Sequence, residues 1–171
     1  MNDTRAESAN LLGAVALLAG SATHGAVAEA VGAGGVLGEA LVAIKDQPDR
    51  TADWLAQVLH ISQPGSAHLV RKLTEQGWVR RSDQGRTRPL RLTKAGERAA
   101  DAALSARAEV LERLVDRLSV KQRAQLIEIA GALLAPEART EQLLAELCRL
   151  CDRGSCPRCP VHEGWQGGVT T

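Results

Sequence analysis

The stretch "LHISQPGSAHLVRKLTEQGWVRRSDQGRTRPLRLTKAG", residues 59–96, decides the fold. Ser62 stands where a helix N-cap belongs, and Pro64 fits the first helical turn, where its missing N–H needs no partner. The residues after it recur at helical spacing. Ser66, Leu69, Val70 and Leu73 fall on an inward face, which leaves Gln63, Gly65, His68, Arg71 and Lys72 outward or lateral. Gly77 ends the helix as a C′ glycine. The period then changes to two: "WVRR" and "PLRLT" read as short strands, joined by the glycine-bearing loop "SDQGRTR". Just upstream, Thr51 caps "ADWLAQVLH", where Trp54, Leu55 and Val58 share a face. Just downstream, Thr93 caps a helix of about 25 residues.

Helix, tight turn, helix and two-stranded hairpin form the outline of a winged helix-turn-helix. The second helix of such a pair can lie in the DNA major groove with its N-terminal residues at the base edges. Charge agrees. Residues 71–94 hold eight basic side chains (Arg71, Lys72, Arg80, Arg81, Arg86, Arg88, Arg91, Lys94) against Glu75 and Asp83, a local excess of six. The whole chain carries only +1, so the remainder sums to −5. A charge run alone is usually a solvated face; beside a helix-turn-helix pattern it is an electrostatic footprint for phosphate.

The same residues resemble the multiple-antibiotic-resistance regulator (MarR) family. The likeness rests on "SQPGSAHLVRKL", the strand entry "GWV.R" and the wing ending "R…LRLT..G", and the helical order extends it over roughly residues 6–147. The resemblance implies a homodimeric transcriptional regulator, most simply a repressor, on a pseudo-palindromic duplex site. Its recognition helices would lie about 34–36 Å apart. Carried over residue by residue, it implies that Ser62, Gln63, Gly65, Ser66 and His68 lie near bases or adjacent phosphates. Arg71 and Lys72 would meet phosphates, and Arg86 and Arg88 would enter the minor groove from the wing. Gln63 could pair bidentately with adenine. The family wing carries an acidic residue two positions before its arginine; Gln84 stands there, which puts the brace on Arg86 in doubt. A small-molecule effector in a cleft between winged and dimer regions is also implied, with Trp54 and the aliphatic residues of 37–44 as possible lining. Plain core is the blander reading of Trp54.

Outward from the centre, four regions follow: an N-terminal dimerisation helix (1–35), the winged unit (36–96), C-terminal dimerisation helices (97–147) and a cysteine-bearing tail (148–171). The overall class is mainly α. Without Phe or Tyr, the core is Leu, Val, Ile and Ala, which suits helix packing. Residues 6–32 read as a helix with Leu11, Leu12, Val15, Leu17 and Leu18 on a wide apolar face. "LLGAVALLAG" could pass for a signal-peptide core, but Asp3, Arg5 and Glu7 before it do not supply the required positive charge. The stretch reads better as a buried helix in a cytoplasmic protein. "GAGG" (32–35) interrupts it before a second helix over 36–46. Ser119 and Gln122 make a capping box for a helix to about residue 135, and Pro136 opens a last helix running into the cysteines.

Cys148, Cys151, Cys156 and Cys159 read C-x2-C-x4-C-x2-C. Each pair has knuckle spacing, and tetrahedral zinc accepts four thiolates, so zinc is the expected cofactor. Arg149, Arg153 and Arg158 would offset the charge of such a centre. Other readings stay open: an iron–sulfur cluster, thiol redox sensing, disulfides (disfavoured in a reducing cytosol), or, for Cys148 and Cys151, small core side chains extending the stripe of Leu143, Leu144 and Leu147. His162 could replace one sulfur, though an exposed His is usually only surface. A rival to DNA binding is a metal-dependent protein-interaction module with an incidental basic wing. An enzyme is disfavoured: no Ser/His/Asp order, no paired carboxylates in an apolar setting and no phosphate loop are found.

Overall fold

The computed structural model describes residues 4–34, 36–81, 88–156 and 158–167. Helix α1 runs Thr4–Val31, α2 Leu37–Asp46, α3 Ala52–Val58 and α4 Gln63–Glu75; strands β1 Val79–Arg81 and β2 Leu90–Leu92 follow. Then come α5 Lys94–Val115, α6 Val120–Leu134, a 3-10 turn Ala135–Glu137, α7 Glu141–Cys148, a second 3-10 turn Arg153–Ser155, and α8 Pro160–Gly167. The strands pair antiparallel, Val79 with Leu92, Arg80 with Arg91 and Arg81 with Leu90. This is the mainly helical winged helix-turn-helix that the central stretch predicts.

Local chemistry sets the boundaries. Thr51, Ser62, Thr93 and Ser119 each accept a backbone N–H at the start of α3, α4, α5 and α6. Ser119 and Gln122 complete the reciprocal capping box. Gly77 ends α4 at φ 70°, a left-handed conformation that a Cβ would penalise. Gly96 lets the first turn of α5 lie on the strand entry: a Cβ there would stand 2.0 Å from the Trp78 carbonyl oxygen.

The core sits inside the winged unit. Leu41, Val42 and Ile44 of α2, Leu55 and Val58 of α3, and Leu69, Val70 and Leu73 of α4 close against Val79, Leu90, and Ala100 and Ala103 of α5. The C-terminal end of α1 joins through Val27 and Val31, and α7 through Ala145.

Three features depart from expectation. The N-terminal half of α1 is helical but not buried within the chain: Leu11, Leu12, Val15, Leu17 and Leu18 stay exposed, Leu17 to 74%. By length and composition alone α1 could cross a membrane. Helix α6 likewise buries nothing, and Val120, Leu126, Ile127, Ile129 and Leu133 face outward. Second, Pro136 lies in the 3-10 turn; α7 begins later, because Thr140 supplies the cap by accepting from Leu143 N at 3.1 Å. Third, the tail has a small core of its own. Val161 of α8 packs with Ala138, Leu144 and Cys148, flanked by Leu134, Leu147, Cys151 and Cys159.

Candidate nucleic-acid interface and the thiol segment

The tight turn between α3 and α4 is made by local bonds. Ile61 N donates to Ala56 O at 3.0 Å, and His60 takes a positive φ of 52°. Ser62 Oγ accepts from Gly65 N at 3.2 Å. Ser66 is a correction to the base-contact set. It is 1% exposed, and its hydroxyl donates to Ala52 O at 2.6 Å, so it rivets α4 to α3 and faces away from solvent. Gly65 is half-buried. Ser62, Gln63, His68, Arg71 and Lys72 lie exposed along the outer side of α4. Arg71 Nη2 and His68 Nδ1 are 2.7 Å apart, and Glu75 stands 3.8 Å from Arg71 Nε, so the Arg71 guanidinium is held in place rather than loose.

The wing adds Arg80, Arg81 and Arg88, all exposed; Arg88 has a φ of 45°. Arg86, with Gln84 and its questioned brace, lies outside the described residues. Arg91 has another task. Its guanidinium grips both carboxylate oxygens of Asp49, which holds the Asp49 carboxyl below its usual pKa. Backbone bonds from Asp49 N to Leu90 O (3.0 Å) and from Leu90 N to Arg50 O (2.9 Å) fasten the same loop to β2. The wing is thereby fixed to the segment that leads into α3. Trp54 is partly buried, with the Arg50 guanidinium 5.4 Å above its ring, and it lines no described cleft.

A cleft of about 260 Å³ does lie between α1, α2 and α5. Thr23, His24, Val27, Glu39, Arg107 and Leu150 are among its lining residues. Glu39 is already paired with Arg149; Arg107 makes no ion pair among the described residues.

The four thiols are unbridged. Cys148, Cys151 and Cys159 share the tail's apolar cluster, whereas Cys156 is exposed beyond the second 3-10 turn. Among the described residues no three His, Cys, Asp or Glu side chains are gathered as metal ligands, so the four-thiolate centre expected from the spacing is not pre-assembled. His162 is exposed. Cys151 Sγ donates to Leu147 O at 3.8 Å. The neighbouring Cys148 thiol, with Arg107 and Arg153, pulls Cys151 down to about 6 against the opposing effect of burial; the Cys151 thiol and burial push Cys148 up.

Sequence reasoning missed the ion pairs that carry α7 and the tail onto the winged unit. Arg50–Glu141, His60–Glu146, Arg149–Glu39 and Arg153–Asp46 join residues some 85 to 110 positions apart. No local pattern announces them.

The fold and this surface define a class: a winged helix-turn-helix protein with an exposed polar helix side and a basic hairpin. Residues 39–88 match the MarR family model. No curated protein sequence matches the chain. Solved structures do. A MarR family protein from Bacillus stearothermophilus superposes with a TM-score of 0.69 at 20% identity, over 78% of this chain and 95% of that one. The Mycobacterium tuberculosis MarR family protein Rv2887 complexed with DNA gives 0.58 at 22%, over 71% and 96%. Its complex with salicylic acid gives 0.56 at 23%, over 71% and 95%. The match to the MarR family is carried by residues 39–88, and the solved structures named above, each under 25% identical, share the fold over most of the chain.

Proposed function

We propose that this protein is a transcription regulator that binds a pseudo-palindromic duplex as a homodimer in the cytoplasm and represses transcription until a small anionic effector releases it. The observation that carries the reading is the exposed side of α4, with Gln63, His68, Arg71 and Lys72, set beside the basic wing on a chain otherwise net acidic. Gln63 and His68 read base edges, while Arg71, Lys72, Arg80, Arg81 and Arg88 meet phosphate.

The dimer reading rests on α1 and α6. Ten large apolar side chains stand exposed there. Burying each is worth about 1.5–3 kcal/mol, so together they rival a domain's entire net stability of about 5–15 kcal/mol. A second copy of the chain is the natural cover. The effector reading rests on the cleft that holds His24 and Arg107, a pair suited to a carboxylate; salicylic acid occupies one structural relative.

Fluorescence anisotropy of labelled duplexes against rising salt tests the function. Affinity should fall steeply as phosphate-bound counterions compete. Salt-independent binding, or none at low ionic strength, would favour the protein-interaction reading instead.

A further inference from the structure

The C-terminal segment has little apolar surface to hold it together. Ala138, Leu144, Cys148 and Val161 are the buried members of its cluster. Segments below about 40 residues with so small a core usually need a metal, a disulfide or a partner to order them. Three thiols share that cluster without standing at ligand spacing: Cys148 lies within it, and Cys151 and Cys159 pack against it. They arrive from two directions. Cys148 ends α7, and Cys151 N donates to Cys148 O at 2.9 Å, which closes the turn around the first pair. Cys159 precedes α8, and its carbonyl accepts from Glu163 N at 2.9 Å, so the first turn of that helix fixes its place. The residues between the two pairs form a reversal. Asp152 accepts from Gly154 N at 2.9 Å and from Ser155 Oγ at 2.6 Å, and Arg153 ties the bend to Asp46 of α2 at 2.8 Å. Cys156 leaves the bend exposed. It stands three positions before Cys159, so the two Cα atoms lie within about 11 Å of each other.

We propose that Cys148, Cys151, Cys156 and Cys159 hold one structural zinc ion, which staples α8 to α7 and gives the C-terminal segment a centre of its own. As each Zn–S bond of about 2.3 Å forms, its thiol releases a proton to solvent. One zinc ion and four thiols thus give a dianionic tetrahedral centre and four protons. Packing of α7 and α8 already brings three of the ligands into one cluster, and the ion draws them to bonding distance. The fourth, Cys156, is exposed and gives up no buried contact when it turns inward. Little of the binding energy goes into rearrangement, and the rest appears as order in the segment. A single ion suits this setting better than a bulkier iron–sulfur cluster, because Leu134, Leu147 and Val161 pack around the same thiols. Four thiolates also leave no open position, so the ion is structural rather than catalytic. The staple reaches beyond the segment. Pro160 lies against α6 at Gly131, where an added Cβ would come within 3.6 Å of the proline Cβ. Arg149 and Arg153 hold Glu39 and Asp46 of α2. A loaded centre therefore joins the α6 arm to the winged unit.

The test uses the full chain, purified under reducing conditions without added metal. Elemental analysis should find about one zinc ion per chain. Cobalt in its place should give the intense sulfur-to-cobalt charge-transfer absorption and the visible bands of a tetrahedral four-thiolate site. Removing the ion with a chelator should quicken amide exchange over residues 138–167 about tenfold or more, with α2 to α4 unchanged, and added zinc should reverse the change. Cys156→Ser should lower zinc affinity by more than about tenfold. Because Cys156 is exposed, that variant should keep the parent's helix content. His162→Ala should leave zinc affinity as it was. Four reduced thiols that take up no zinc would overturn the proposal, as would iron with inorganic sulfide in the purified protein. Full zinc content and affinity in Cys156→Ser would show an ion held elsewhere. Metal removal without change in exchange over 138–167 would overturn the staple.

Discussion

The winged unit and the two apolar arms are built from the same residue types, yet they end differently. In the winged unit, Leu41, Leu55, Val58, Val70 and Leu73 are wholly buried within one chain. In α1 and α6, leucines, valines and isoleucines at similar density face outward. Apolar periodicity therefore marks a surface that needs a partner, without saying whether that partner lies in the same chain. Closure does distinguish them. Residues 37–92 double back through two tight turns and a hairpin, so their apolar faces meet. The arms are long single helices, and none of the described residues folds over their outer halves.

Substitutions can break that contrast. The largest effect is expected inside the unit: Leu55→Ala should lower unfolding stability by about 2–5 kcal/mol in urea titration, with no dependence on protein concentration beyond that of the parent. In the arms, Leu17→Glu or Ile127→Glu should cost association by about 2 kcal/mol or more, read by sedentimentation equilibrium, while the circular dichroism of the winged unit persists. Retained association in both variants would mean these faces are plain solvent surface. Ser119→Ala removes the cap of α6 and should cost about 1 kcal/mol, seen as a lower thermal midpoint. The smallest effect sharpens the wing. The Asp49 carboxyl is held down by Arg91, so its stabilising contribution is complete at neutral pH and fades as pH falls below its ordinary value of 3.8. Both groups are exposed, so a slight loss of wing order in acid, absent in Asp49→Asn, is the expected outcome.

Much of this architecture is legible in local sequence because its determinants are local. Thr51, Ser62, Thr93 and Ser119 cap helices three residues ahead of their partners, and Gly77 stops one by its own conformation. The misses share the opposite property. The inward hydroxyl of Ser66 is explained only by Ala52, fourteen positions away. The delayed start of α7, the docking of α8 on Leu144 and Cys148, and the anchors on Glu39 and Asp46 all depend on which distant segments become neighbours. The thiol spacing alone suggests four equivalent ligands. In the fold three of the thiols join the tail's apolar cluster and one is in solvent, because Cys148 ends α7 and Cys151 follows it closely while Cys156 lies past the second 3-10 turn.

The rivet between Ser66 and Ala52 has a practical corollary for redesign. On the proposed duplex-binding reading, an attempt to retarget the protein cannot vary the front of α4 at will. Position 66 would have to keep a small hydroxyl, and the cap at 62 its side-chain oxygen. The vocabulary available for rewriting specificity is therefore short: chiefly positions 63, 67 and 68, where change leaves the scaffold untouched.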